Sequence, residues 1–342
     1  MTFAERLRAL GWFLLGAAWF LFADLVSFRA ANGITEGDLQ DPLYRIFLLF
    51  LLILGYRTMS RVGQPRKSGA RATGLAVRPG WGREWALGAA LGWGGVVACV
   101  LPAALIGGLV VRAFTNPHQF WMIAVDVVAL GAGTLAIEAA FRGYPFQRLT
   151  EAMGSAVATL FQAVVYALWW TRQAPATAAM LLTAFLLGWA LALGALRTRA
   201  LWVSWGLHFA WAAAIGILFG LPLAGPLSYS PVIVTNSHGP TWVTGDGQGP
   251  ESSLFGVLAA AALVIAVMWG TSDLKYKFGF DEIVPGGIPV DLDAAARQQH
   301  EAAMAQAEPA EPKLVQILPA PGASVMEPGG AAEEERPEPE ST

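Results

Sequence analysis

Charge is what this sequence has least of. Of its 342 residues 14% are Asp, Glu, Lys or Arg, whereas 55% are hydrophobic and the mean hydropathy is +0.49. A soluble globular domain carries about 25% charged residues, so an ordinary water-soluble fold is excluded. Cysteine is nearly absent as well. The one thiol, Cys99, sits in an apolar run, so no intrachain disulfide can form and the chain carries no redox signature of its compartment. There is no Gly-rich phosphate loop and no soluble-domain repeat. The net charge of −3 singles out no partner class; nucleic acid is not among the expected partners, and no cofactor is called for.

What fills the chain instead is apolar blocks of about 20 residues, the length that crosses ~30 Å of hydrocarbon as a helix. Eight candidate spans lie at about residues 10–28, 44–56, 84–111, 119–141, 154–171, 176–196, 201–224 and 252–271. The first is too long, and lacks the small-residue cleavage pattern, for a removed signal peptide. The second is short and needs Tyr44 and Tyr56 at the interfaces. Positive charge then fixes the orientation, because cytoplasmic loops collect Lys and Arg. One set of connectors holds Arg6 and Arg8; Arg57, Arg61, Arg66, Lys67, Arg71, Arg78 and Arg83; Arg148; Arg197 and Arg199; and Lys275 and Lys277. The alternate set holds Arg29, Arg45, Arg112 and Arg172, and loop 226–251 has neither Lys nor Arg. Both termini are therefore expected in the cytoplasm.

This divides the chain into a two-helix segment with a basic loop (1–83), a membrane core (84–271) and a cytoplasmic tail (272–342). The loop 226–251 is rich in Gly, Pro, Ser and Thr, which favours turns over a packed domain. Within the tail, LDAAARQQHEAAMAQAE reads as one short helix capped by Asp291 or Asp293. The Pro-, Ala- and Glu-rich remainder has too few apolar residues to offset its ordering entropy and is expected to be disordered.

Five ionisable residues lie inside the spans: Asp24, Asp126, Glu138, Arg142 and His208. Each costs about 2.5–3.5 kcal/mol near a helix centre. Asp24 and Asp126 stand toward outer ends, where they can reach water. Glu138 and Arg142 are four apart and share one helix face; a structural pair, an Arg snorkelling to the interface and a functional site all fit that spacing. His208, among aromatics, fits a hydrogen-bonded packing residue or a ligand. A catalytic zinc needs three protein ligands, and Glu138 with His208 supplies two.

The segments that hold these residues resemble the CAAX prenyl protease and bacteriocin-processing (CPBP) family of intramembrane proteases. IEAAFRG at 137–143 is similar to its Glu-Glu-x-x-Phe-Arg-Gly motif, YALWW at 166–170 to its aromatic-x-x-x-His motif, and GLHFAWA at 206–212 to its Gly-Leu-His-x-x-Trp-Asn motif. FGLPLAG and TGDGQGPESSL resemble further segments of one branch. The resemblance covers roughly 84–271 and implies an all-α polytopic membrane protein of about eight transmembrane helices with a CPBP-type core. It also implies intramembrane endopeptidase chemistry, in which the first Glu and the second-motif His activate water while the third-motif His and Asn hold the oxyanion. Here Glu138, Arg142 and His208 match and are the candidate catalytic residues. Ile137, Trp170 and Ala212 stand where a Glu, a His and an Asn are expected.

The expected function is a family homologue, weak or inactive in proteolysis, that binds a membrane-embedded or prenylated peptide or protein beside membrane lipid. The alternatives are an active endopeptidase using Glu138 and His208 in altered roles, and a small-molecule transporter or channel component. Against the last, no paired Gly- or Pro-broken short spans signal inverted repeats. The charge asymmetry is directly testable. A thiol introduced by Ser237→Cys, with Cys99 removed, is expected to label from outside intact cells; labelling only after permeabilisation would overturn the eight-span orientation.

Overall fold

The computed structural model describes residues 2–63, 73–113, 117–172, 176–223, 229–274 and 292–305. Contacts group the chain into two units, 1–281 and 282–342. In the first, helices α1 (Phe3–Ile34), α2 (Gln40–Gly63) and α3 (Trp81–Leu105) precede a strand, β1 (Leu109–Ala113). Then come α4 (Pro117–Arg142), α5 (Tyr144–Met153), α6 (Ser155–Trp170), α7 (Ala178–Thr198) and α8 (Trp202–Ala212). A π-helical turn, Ala213–Leu218, extends α8, and β2 (Ile233–Ser237) leads toward α9 (Leu254–Gly270). The second unit contains α10 (Leu292–Ala305), at the place expected for the short tail helix. The expected cap Asp291 and the tail predicted to be disordered lie outside the described residues.

Among the described residues five apolar stretches are long enough to cross a membrane: Phe3–Ile34, Gly37–Gly63, Trp81–Leu105, Phe120–Met153 and Ala178–Thr198. The other three expected spans are shorter apolar helices, Ser155–Trp170, Trp202–Leu218 and Leu254–Gly270. At ~1.5 Å per residue a helix of that size covers about 25 Å, short of the ~30 Å hydrocarbon core. A multi-pass membrane protein is therefore established, with five rather than eight helices of full spanning length. The second helix is longer than its apolar run because it continues past Tyr56 with Arg57 and Arg61 exposed; helix geometry does not stop where hydrocarbon does.

The fold is not purely helical. The expected span 84–111 ends as helix at Leu105, after Pro102 removes one backbone donor and Gly107 turns the chain at φ +82°. The segment that follows pairs antiparallel with the Gly-, Pro-, Ser- and Thr-rich loop, Leu109 opposite Ser237 and Ala113 opposite Ile233. That loop is more packed than its composition suggests. Ser230 N–H donates to Asp126 Oδ2 at 2.7 Å, so this carboxylate is 5% exposed rather than hydrated. Asp24 accepts from the Tyr44 hydroxyl at 2.6 Å. Arg45, paired with Asp41 at 2.7 Å, lies 5.1 Å from the Tyr229 ring centroid, and burial pushes the Tyr229 phenol above its ordinary pKa. Arg148, read as a loop residue, is instead 4% exposed on α5 and pairs with Glu151 at 2.6 Å.

The main buried cluster draws residues from all the helices α1 to α9. The closest approach is α3 on α8. A Cβ at Gly88 would stand 2.0 Å from the Val203 carbonyl oxygen, one at Gly92 2.3 Å from that of Leu207, and one at Gly206 2.1 Å from that of Trp85. Nothing but hydrogen fits between these backbones, the close-packing mode of small-residue stripes in membranes. Backbone cannot yield as a side-chain tip can, so Gly92→Ala is expected to lose at least the ~1–3 kcal/mol typical of overpacking. Gly94→Ala, with nothing within 4 Å of the new Cβ, is expected to be neutral or better. Denaturant titration in micelles compares the two.

Candidate functional site

The last turns of α4 carry Ile137, Glu138 and Arg142. Glu138 is fully buried and Arg142 is 1% exposed. Helical spacing puts them on one face, and Arg142 Nη1 donates to Glu138 Oε1 at 3.0 Å. The guanidinium is held on two further sides. Its Nη2 donates to the Gly188 carbonyl on α7 at 3.3 Å, and its Cζ lies 4.2 Å from the Tyr166 ring centroid on α6. Gly188 is what allows this, since a Cβ there would meet Tyr166 Cδ1 at 2.8 Å.

His208, 7% exposed on α8, approaches the same carboxylate oxygen, with Nδ1 2.8 Å from Glu138 Oε1. A carboxylate paired with arginine only accepts, so Nδ1 is the nitrogen that carries hydrogen. Nε2 then faces the Tyr166 hydroxyl at 3.4 Å as an acceptor. Glu138 Oε2 and Arg142 Nε, both buried, have no hydrogen-bond partner among the described residues. The result is a chain of groups from guanidinium through carboxylate and imidazole to phenol, built from α4, α8 and α6. An arrangement like this fixes the imidazole tautomer and leaves Nε2 as its basic atom.

The three candidate residues are thus brought together. Of the three motif positions with changed residues, 137 and 212 hold apolar side chains, and 170 holds a tryptophan whose indole N–H bonds to Tyr166. Ile137 and Trp170 are half-buried and pack against the cluster that contains Tyr166 and Trp211, with the Trp170 and Tyr166 rings 6.0 Å apart. Ala212, 3% exposed, packs in a separate cluster with Leu130 and Ile217. Among the described residues no group of three or more His, Cys, Asp or Glu side chains comes together as a metal site.

Sequence reasoning missed Tyr166, Gly188, Trp211 and Glu251. Trp211 Nε1 donates to Glu251 Oε1 at 2.6 Å, and both residues are buried. Tyr166 could have been found as the aromatic of the second motif. Glu251 was hidden by its place in a polar loop, with only its neighbouring Pro250 and the apolar run after Ser253 to suggest burial.

Residues 116–214 match the family model described as type II CAAX prenyl endopeptidase Rce1-like. Over that stretch the chain is similar to a CAAX-protease-type domain. The matched segment includes Glu138, Arg142, Tyr166, Gly188 and His208, and leaves α1, α2, α3 and α9 outside. Comparison with curated proteins and with solved structures yields no match.

Removing one partner of a buried ion pair leaves an uncompensated charge, a loss of roughly 3–5 kcal/mol. Arg142→Ala is therefore expected to destabilise more than Glu138→Gln combined with Arg142→Ala. A thermal-unfolding double-mutant cycle in detergent reads the coupling; strictly additive losses would mean that the two charges act separately.

Proposed function

We propose that this chain is a multi-pass CAAX-protease-type membrane protein that holds a membrane-embedded peptide or protein segment without cutting it efficiently. Three features support the reading: the Rce1-like match, the intact buried Glu138–Arg142–His208 group, and the changed side chains at 137, 170 and 212. The single observation that carries it is the state of Glu138. Its Oε1 accepts from Arg142 and His208 at once, so the one carboxylate of the motif is committed to structure.

Amide hydrolysis needs a group to take a proton from water and donors for the oxyanion. Losing a general base forfeits about 10²–10⁴ in rate, and losing one oxyanion donor about 10²–10³, although such losses need not multiply. Ile137 and Ala212 can supply neither, and Trp170 offers only an indole N–H, which donates but cannot take a proton. We further propose that residues 84–271 form the functional core, that all eight apolar helices cross the membrane, the three short ones in locally thinned or snorkelling surroundings, and that both termini are cytoplasmic, as the Lys/Arg asymmetry favours.

A second reading has one observation in its favour. The 2.8 Å contact between Glu138 and His208 is the geometry that orients an imidazole as a general base, and in an active enzyme His208 Nε2 would take the proton from water. Reconstituted protein offered prenylated and unprenylated peptides separates the two readings. The expected outcome is no cleavage by the parent and detectable cleavage by the combined Ile137→Glu, Trp170→His and Ala212→Asn variant. Robust cleavage by the parent, abolished by Glu138→Gln, would establish the altered-role protease instead.

A further inference from the structure

Glu251 lies outside the matched segment and is 2% exposed in the core of a membrane protein. A carboxylate in such surroundings is costly, and this one is held with care. The 3₁₀ turn Pro250–Ser252 that carries it packs against α3, α7 and α9. The Pro250 carbonyl accepts from Ser253 Oγ at 2.7 Å and from the Cys99 thiol of α3 at 3.4 Å. Ser253 Oγ in turn accepts from Gly256 N–H at 3.0 Å and caps α9. With its backbone fixed on both sides, the Glu251 side chain reaches the Trp211 indole at 2.6 Å.

Trp211 is three residues beyond His208, on the same face of α8. Directly after Ala212 the helix changes to a π turn, a local rewinding that is common at functional positions and alters the angle at which side chains leave the axis. Glycine contacts with α3 and side-chain bonds from Trp202 to the Ala76 carbonyl, Ser204 to the Leu191 carbonyl and Trp205 to the Gly131 carbonyl orient the first turns of α8. The indole–carboxylate bond orients its last turn, the one beyond His208.

We infer that Glu251 is a positioning residue of the site: through Trp211 it holds the end of α8 in the orientation that brings His208 Nδ1 onto Glu138. The inference rests on the reading of Glu138–His208 as the functional centre. It requires a hydrogen-bond acceptor at position 251, and a negative charge is not needed for it.

The test uses the full chain in lipid nanodiscs, with labelled histidine and with His118→Gln, His238→Gln and His300→Gln to leave His208 alone. An Nδ1 proton shared with a carboxylate gives a strongly downfield proton resonance. The expected result is that the resonance is present in the parent, lost or moved upfield in Glu251→Ala and in Trp211→Phe, and retained in Glu251→Gln, whose side-chain oxygen still accepts from the indole. Alkylation of the native Cys99 by N-ethylmaleimide reports the turn itself and is expected to accelerate about ten-fold or more in Glu251→Ala, as local opening does, and to stay near the parent rate in Glu251→Gln. An unchanged resonance in folded Glu251→Ala overturns the inference. So does equal loss in Glu251→Gln, which would mean an effect of charge, and so does collapse of all three variants, which would make Glu251 a general folding element. Absence of the resonance in the parent is a different failure: it removes the Glu138–His208 pairing on which the site reading stands.

Discussion

One carboxylate oxygen organises the centre of this protein. Glu138 Oε1 accepts from an arginine of its own helix and from a histidine of another, in a region where water does not replace a lost partner. The arginine then reaches a third helix through the Gly188 carbonyl and a fourth through the face of Tyr166. Four helices are thereby referred to one charged pair. A buried pair of this kind is weak evidence for net stability, since desolvation offsets most of the attraction. Its effect is to exclude alternatives: any sliding or rotation of α4, α6, α7 or α8 would strand a charge in hydrocarbon. That requirement survives whether or not peptide bonds are cut, which explains how the pair can persist beside Ile137, Trp170 and Ala212.

The remaining architecture keeps those helices where the pair needs them. The glycines of α3 and α8 remove side chains from the line of closest approach, so two backbones meet directly. On the side of the Arg-rich connectors, Arg78 binds Glu84 through two nitrogens, at 3.0 and 2.7 Å, and also donates to the Thr198 carbonyl at the end of α7. Trp202 N–H reaches the Ala76 carbonyl there as well. On the opposite side Asp126, Arg45 and the β1–β2 ribbon hold the loop down. Polar contacts concentrate at both rims, and the middle is packed largely by size and shape around the Glu138 group and the Trp211–Glu251 bond.

Much of this was legible in the sequence. Apolar blocks separated by charged connectors gave the positions of all eight apolar helices, because the cost of burying charge is local and reads residue by residue. The Glu138–Arg142 pair was legible for the same reason, from spacing alone. What escaped was non-local. That Asp126 would be covered by Ser230, that Val110 would find Asn236, or that Glu251 would meet Trp211 depends on how a loop folds back across more than a hundred residues in the first two cases and 40 in the third. No periodicity encodes such a return. Helix ends were also misplaced, at Leu105 and around Gly63, because hydropathy marks the hydrocarbon edge whereas Pro, Gly and capping mark the helix edge.

The two-stranded ribbon has a consequence for how the chain is made. β1 leaves the ribosome before α4, and β2 only after α8, so the ribbon is a clasp whose halves bracket the whole of residues 116–214. Helices α4 to α8 are synthesised between its two halves, and the clasp cannot close until the last of them is out. Closing a loop of this length adds little entropy beyond that of a shorter one, since the penalty grows only logarithmically. The order of events is another matter: contacts between distant residues wait for everything between them. The nascent protein therefore passes through a stage in which α4 and its charged pair are already made while the ribbon is still open.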